Sequence, residues 1–520
     1  MIIGGCKETA PATSVKRVDT GENDEKNKPI DLDSDETPDA SETTLPLEFP
    51  TSVPANGMLA WGYSVGAVVG VGEPPTGRYS GDWADDPTSV ITKPQEVVLP
   101  PELKNEKITQ LATGDSHALA LTESGAVWFW GGVSLTSVGN AFDLGRANRI
   151  YQVGFPSEAT SDEKIVDIAA GKNHSLALSE SGKIFTWGWG ESGVLGDGID
   201  YDVLSLWEVG TDPYDAAYAR YEPLEISSEL YLSGVKFTRI AAGDESSFAI
   251  DDQGRIFGWG IGYTGLLGQT SEMSPPELDA DGDIRGTEHY ANTPVLIDTS
   301  GAFDGEEIHH ISAGARHVAV LTTSGRIFSW GTGSLGQLGD GATYDGGYGL
   351  RWQEPKGGAP HSTTPVRIKR TEDLAEARFQ QVCTGADFTL GLTEDGQVFG
   401  WGSNSLGQLA SEAAGPVFTP KQIPLGTVAA TRIACGSQHA HAITADGKFW
   451  SWGWAGFGQL GDGTSYVEDP GALSVMIEEA FRASQSVPVT VGLPGSITGT
   501  DITLLAPGYF TTAIGVSEAN

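Results

Sequence analysis

The chain has 520 residues, with 69 Asp and Glu against 31 Lys and Arg, a formal charge of −38, and an unusual share of glycine (70) and tryptophan (14). So acidic a surface repels phosphate backbones and anionic lipid, which are bound by neutralising phosphates with cations, so nucleic acid is excluded as an expected partner. No run of about 18 apolar residues occurs, which excludes a transmembrane helix, and three cysteines, Cys6, Cys383 and Cys435, supply neither a disulfide framework nor a clustered thiolate metal site.

The chain begins Met1-Ile-Ile-Gly-Gly-Cys6, which is similar to the end of a bacterial lipoprotein signal, where small residues precede an acylated cysteine; the basic and apolar regions that come before it there are missing. If the start has been trimmed, Cys6 is the lipidated first residue of a protein of the bacterial cell envelope or exterior. If Met1 is genuine, the match is accidental and the alternative is a cytoplasmic protein. Residues 1–50 are otherwise polar and acidic, with Asp31-Leu-Asp-Ser-Asp-Glu36, and bury too little apolar surface to offset ordering entropy, so a disordered tether is expected there and a folded domain over 51–520.

From Ile108 onward one pattern recurs: an apolar pair, a glycine, often a histidine three residues later, an alternating apolar strand, a turn glycine, then aromatic-x-Trp-Gly. Complete copies run over 108–131, 165–188, 237–260, 308–331, 379–402 and 431–453. Each holds period-two segments separated by turns such as Asp252-Gln-Gly254, which predicts antiparallel hairpins. Between copies one further strand is expected, at 97–99, 153–155, 223–226, 294–297, 365–368, 422–423 and 488–491, marked by Pro-Val-x-Ile at 294–297 and 365–368 and by close variants of it at 223–226 and 488–491. A seventh copy is split. Residues 502–515 begin it, and Asn56-Gly-Met-Leu-Ala-Trp-Gly62 supplies its last strand, so the two ends of the domain complete one blade and close a ring of seven four-stranded blades, an all-β propeller without free sheet edges.

After the Trp-Gly strand, Gly-Gln-Leu-Gly-Asp-Gly stands at 336–341 and 458–463, Gly-Val-Leu-Gly-Asp-Gly at 193–198, and a partial copy at 407–409. With Gly-x-x-His and Trp-Gly at this spacing, residues 56–517 resemble the repeats of the regulator of chromosome condensation family. That resemblance implies a seven-bladed propeller. It also implies guanine-nucleotide exchange on a Ran-type small GTPase through one rim of the ring, with Asp115, Asn173 and His317 at the matching turns and residues 132–139 in the place of a wedge. Asn173 departs from the acid that the pattern has at that position.

Long acidic and aromatic inserts at 206–221 and 340–361 fall between the Trp-Gly strand and the next blade, and a short helix is expected over 469–481, with Leu473, Ile477 and Phe481 on one face. These insertions are expected on one face of the ring. The histidines His117, His174, His317 and His439 occupy one repeated position, which argues for a structural role, since a reaction site needs one of each group. The two residues after each repeat glycine vary from blade to blade, and such variation in a fixed frame is where partner specificity can be written. Asp115, Lys172, Asn173, Asp244, Glu245, Arg316, Asp387 and Gln438, together with His317, are the candidates for a partner-binding rim. Asp279, Asp281, Asp283 and Glu288 have the alternating carboxylates of a calcium loop without the glycine and the twelfth-position Glu of an EF-hand, so an acidic surface loop is the alternative; no other cofactor is expected. Cys383 and Cys435 stand just before repeat glycines where other copies carry Ala, Ser or Thr, and are expected to be small packing residues without chemistry. The sequence holds no nucleophile-base arrangement or metal-ligand motif of an enzyme. The reading is a monomeric, non-enzymatic protein-binding scaffold, exported or surface-tethered, with an exchange factor for a small GTPase or a protein inhibitor of an enzyme as alternatives.

Overall fold

The apolar alternation of each copy becomes three antiparallel strands, and a fourth follows at the outer edge. The computed structural model describes residues 56–63, 90–131 except 116, 150–156, 163–199, 219–226, 234–343 apart from 263–264, 269–276, 279–283, 286–289 and 304, 361–464 apart from 375–376 and 414, and 484–517. Blade two holds Ile108–Thr113, His117–Thr122, Val127–Gly131 and Tyr151–Gln152, from the channel outward. In the same order, blade three holds Ile165–Ala170, His174–Ser179, Ile184–Trp189 and Ala219–Glu225, and blade four Phe237–Ala242, Ser246–Asp251, Ile256–Ile261 and Tyr290–Leu296. Blade five is Ile308–Ala313, His317–Thr322, Ile327–Thr332 and His361–Arg367; blade six is Phe379–Thr384, Phe388–Thr393, Val398–Gly402 and Val417–Gln422. Blade seven is Ala430–Cys435, His439–Thr444, Phe449–Trp454 and Ser484–Thr490.

Blade one is the split copy, ordered Ile502–Pro507, Thr511–Ser517, Asn56–Tyr63, Val90–Glu96. Its two halves pair antiparallel from Asn56 opposite Ser517 to Gly62 opposite Thr511, so the strand from one end of the domain lies between two from elsewhere in the chain. The ring closes as the repeat pattern requires.

The outer strands lie earlier than expected. They end at Glu96, Gln152, Glu225, Leu296, Arg367, Gln422 and Thr490, and the residue that follows, Val97, Val153, Ile226, Ile297, Ile368, Ile423 or Val491, turns inward and is buried. Proline explains the shift. Pro294 falls between Ala291 and Val295, where the register against the third strand slips, and Pro365 and Pro488 fall in the same slip in their blades. A proline has no N–H for the ladder, so it is tolerated where a bulge removes that demand.

Seven apolar clusters hold the described residues together, and each spans one seam between neighbouring blades. The cluster of blades four and five joins Phe248 and Ile250 to Val318, Val320 and Trp330; the one at the closure joins Ile443 and Phe449 to Leu59, Trp61 and Ile514. The second strand of every blade is therefore buried on both faces.

Candidate binding rim at the channel mouth

The inner strand of each blade ends at the repeat glycine, and the seven glycines form a ring. A Cβ on Gly114 would fall 2.4 Å from the carbonyl oxygen of Gly171, and one on Gly171 2.6 Å from that of Gly243; the approaches continue through Gly314, Gly385, Gly436 and Gly508 back to Gly114. No side chain fits there, because the next blade's backbone occupies its place. The residues after the glycines extend the ring by hydrogen bonds across seams. The Asp115 N–H donates to the Lys172 carbonyl at 3.0 Å, Ala386 donates to Ser437 at 2.8 Å, and at the closure the Tyr509 N–H donates to the Gly114 carbonyl at 3.2 Å.

This ring separates the two variable residues of each turn. The first lines a central channel of about 340 Å³, whose mouth carries Asp115, Lys172, Asp244, Ala386, Ser437 and Tyr509. The second lies outside it: Glu245 and Arg316 are exposed, while Asn173, Asp387 and Gln438 are partly buried. The carbonyls of Asn173, Glu245, Arg316, Asp387 and Gln438 accept the N–H of the residue that follows the Trp-Gly pair in the same blade, which fixes the turn while leaving its side chain variable. Lys172, Asn173, Asp244 and Glu245 also line a recess of about 230 Å³ beside Trp189, between blades three and four.

The mouth is short of cations. Burial pushes the Asp244 carboxyl up to about 7; Lys172 opposes this, while Glu245, Asp387 and Asp115 add to it. Asp115 rises to about 6 by burial, again opposed by Lys172. At the same mouth, burial and then the carboxylates of Asp244 and Asp115 raise the Tyr509 phenol to about 12. One lysine thus faces several mutually repelling acids, an arrangement able to accept a cationic group from a partner.

The repeat histidines are not on this rim. His117, His174, His317 and His439 are at most 1% exposed, and each points sideways into a seam. His317 Nε2 lies 2.9 Å from Thr389 Oγ1 of blade six, and that hydroxyl donates in turn to the Gln337 carbonyl at 3.2 Å. With the hydroxyl proton committed, Nε2 is the donor and Nδ1 is bare, the neutral imidazole. The Trp401 indole N–H also donates to the Gln337 carbonyl, at 3.1 Å. His174–Ser247–Val194 with Trp259, and His439–Thr512–Gln459 with Trp61, repeat the same latch. Burial lowers His117 to about 4 and His174, His317 and His439 to about 3. His317, a candidate for the rim, is thereby corrected to a seam residue with no surface to offer.

The Gly-Gln-Leu-Gly loop is the acceptor of the latch. A Cβ on Gly339 would lie 2.7 Å from the Trp401 indole, and one on Gly461 2.7 Å from that of Trp61, so the second glycine of the motif makes room for the next blade's tryptophan. The profile described as RCC1-like domain matches residues 208–504, more than half of the chain, and that of the regulator of chromosome condensation (RCC1) repeat matches 108–132 and 165–194. The chain belongs to the RCC1-like domain family. The Ultraviolet-B receptor UVR8 of Arabidopsis thaliana is 27% identical over 71% of this chain and 69% of its own length. The E3 ubiquitin-protein ligase HERC2 of Homo sapiens is 29% identical over 66% of this chain but 6% of its own, so the chain spans a small part of that relative. Prp20p of Saccharomyces cerevisiae shares the fold, with a TM-score of 0.64 at 20% identity over 91% of this chain and 94% of that one.

Within this RCC1-like ring the expectation for two cysteines is overturned. Cys383 and Cys435 are not inert packing residues but a disulfide between the inner strands of blades six and seven, with Cα atoms 5.6 Å apart. Spacing in sequence concealed it, because the partners are 52 residues apart and meet only when the blades stack. Cys6, the calcium candidates Asp279, Asp281, Asp283 and Glu288, residues 132–139 and the expected helix at 469–481 lie outside the described residues, as do most of the two inserts. Among the described residues no group of three or more His, Cys, Asp or Glu converges to hold a metal ion, and no helix is long and apolar enough to cross a membrane.

Proposed function

We propose that this chain is a non-enzymatic protein-binding propeller, exported or surface-tethered, whose partner meets the rim around the channel mouth. The carrying observation is that one repeated backbone ring presents side chains of five types around the channel mouth, Asp115, Lys172, Asp244, Ala386, Ser437 and Tyr509 among them. The Cys6 context supports export, and the charge of −38 favours a protein over a nucleic acid. A calcium ion on the alternating carboxylates Asp279, Asp281, Asp283 and Glu288 is a separate proposal, on which this reading does not depend.

The second reading is nucleotide exchange, because the solved Prp20p structure is described with its binding to Gsp1p and histones. An exchange factor has to stabilise the nucleotide-free GTPase over the loaded one, through specific polar groups. Of the three matching positions, Asp115 faces the channel, Asn173 is not an acid, and His317 is enclosed in a seam. Fluorescent-nucleotide release from a Ran-type GTPase is therefore expected to stay at the intrinsic rate. Acceleration of several orders of magnitude that is lost in Asp115→Ala would establish exchange instead. Proteins captured by the wild type should be lost on combining Asp115→Ala with Asp244→Ala and kept on altering Lys107 and Glu123, an exposed ion pair away from the rim; equal loss in both variants would remove the rim from the proposal.

A further inference from the structure

The seams are not alike. The residue at the histidine position of one blade faces the residue after that position in the next, and the two are matched: His117 meets Ser175, His174 meets Ser247, His317 meets Thr389 and His439 meets Thr512. Between blades six and seven Phe388 and Ala440 hold these places, so the seam has no such hydrogen bond. Closer to the channel, the residue two before one glycine stands beside the residue immediately before the next. In the fifth seam that pair is Ser312 and Thr384, hydrogen-bonded at 2.8 Å, and in the sixth it is Cys383 and Cys435.

We infer that Cys383 and Cys435 form an oxidative staple that replaces the missing histidine latch of the sixth seam, and that the native ring is the form made in an oxidising compartment. The thiolate of one cysteine attacks a sulfur of a disulfide-bearing oxidant and expels one thiol; the second cysteine's thiolate then displaces the other. Two cysteine thiols lose two electrons and two protons, and the oxidant is reduced to two thiols. Both cysteines are partly accessible and Cys435 lines the channel, which gives a small oxidant a route to the pair. A persistent bond of this kind belongs to secreted and envelope proteins more than to a reducing cytosol. The inference does not depend on what binds the rim.

The full chain is treated with oxidised glutathione, denatured, alkylated without reductant and digested with trypsin. Residues 379–421 should be recovered joined to 433–448, since cleavage after Lys421 and Arg432 separates the cysteines. The melting temperature should fall by about 2–6 °C when a thiol reductant is added, and by the same amount in C383S/C435S, in which the reductant has no further effect. C383A/C435A, which restores the small apolar residue of other seams, keeps the test valid if the serine variant does not fold. Two alkylated cysteines, a link from either to Cys6, or a melt indifferent to the reductant in the wild type would overturn the assignment.

Discussion

A repeat glycine is kept small by a backbone many residues away in the chain. In Gly314→Ala the new Cβ would sit 2.3 Å from the Gly385 carbonyl oxygen, and neither blade can withdraw without breaking the ring. Thermal or denaturant unfolding should show a loss of about 3 kcal/mol or more. The histidine latch is a milder case: His317→Ala leaves the Thr389 hydroxyl with its carbonyl partner but removes a buried donor, and should cost about 1–3 kcal/mol. Most of that cost should vanish in the background Thr389→Val, as a double-mutant cycle would read, because the pair fails together. The sequence displays both residues as repeats and so marks them as structural. It does not display the reason, which is a relation between positions 72 residues apart that exists only once two blades face each other. The same blindness hid the disulfide, whereas the turn residues of the rim were legible because a local rule, the two places after each glycine, identifies them.

Among elements, the closing strand carries the clearest consequence. Deleting residues 1–62 removes Trp61, which is fully buried in the seventh seam, and with it the register from Asn56 to Gly62 against the Thr511–Ser517 strand. That truncation should melt far below the full chain, whereas deletion of 1–50 should leave the melting temperature of the full chain unchanged; equal midpoints for the two truncations would contradict closure through this strand. The second and third strands of each blade were readable because burial on both faces leaves a near-continuous run of small and apolar residues, as at His117–Thr122 and Val127–Gly131. The outer strands were misplaced because they are partly exposed and all but that of blade two are interrupted by a bulge, so the strongest apolar residue, as at Ile297 or Ile368, is the anchor after the strand.

For the whole molecule, two sets of buried groups oppose each other with pH. The histidines His117, His174, His317 and His439 have folded values near 3 to 4, below an unfolded value near 6.5, so the unfolded chain binds more protons and stability is lost as pH falls below about 6.5. Asp115 and Asp244 have folded values of about 6 and 7, above the unfolded carboxylate value, so their contribution is complete in acid and is lost as pH rises through those values. Four histidines outweigh two carboxylates between pH 4 and 6.5, and Asp244 alone titrates above that. Melting temperature should therefore peak near neutrality, and Asp244→Asn should raise it above pH 7 relative to the wild type; a variant unchanged at pH 8 would refute the assigned burial of that carboxyl.

The matching of histidine to hydroxyl also divides the circle. Ser246 faces Val318 and Thr511 faces Ala118, so the seams after blades four and one lack the latch, as does the sixth, and the Ser246 and Thr511 hydroxyls are left without a partner. Latched blades thus form an arc of three, two to four, and two pairs, five with six and seven with one. A ring drawn with sevenfold symmetry is mechanically a chain of three links, and its joints are the places where it would first part. The disulfide bridges one joint, so oxidation converts three links into two.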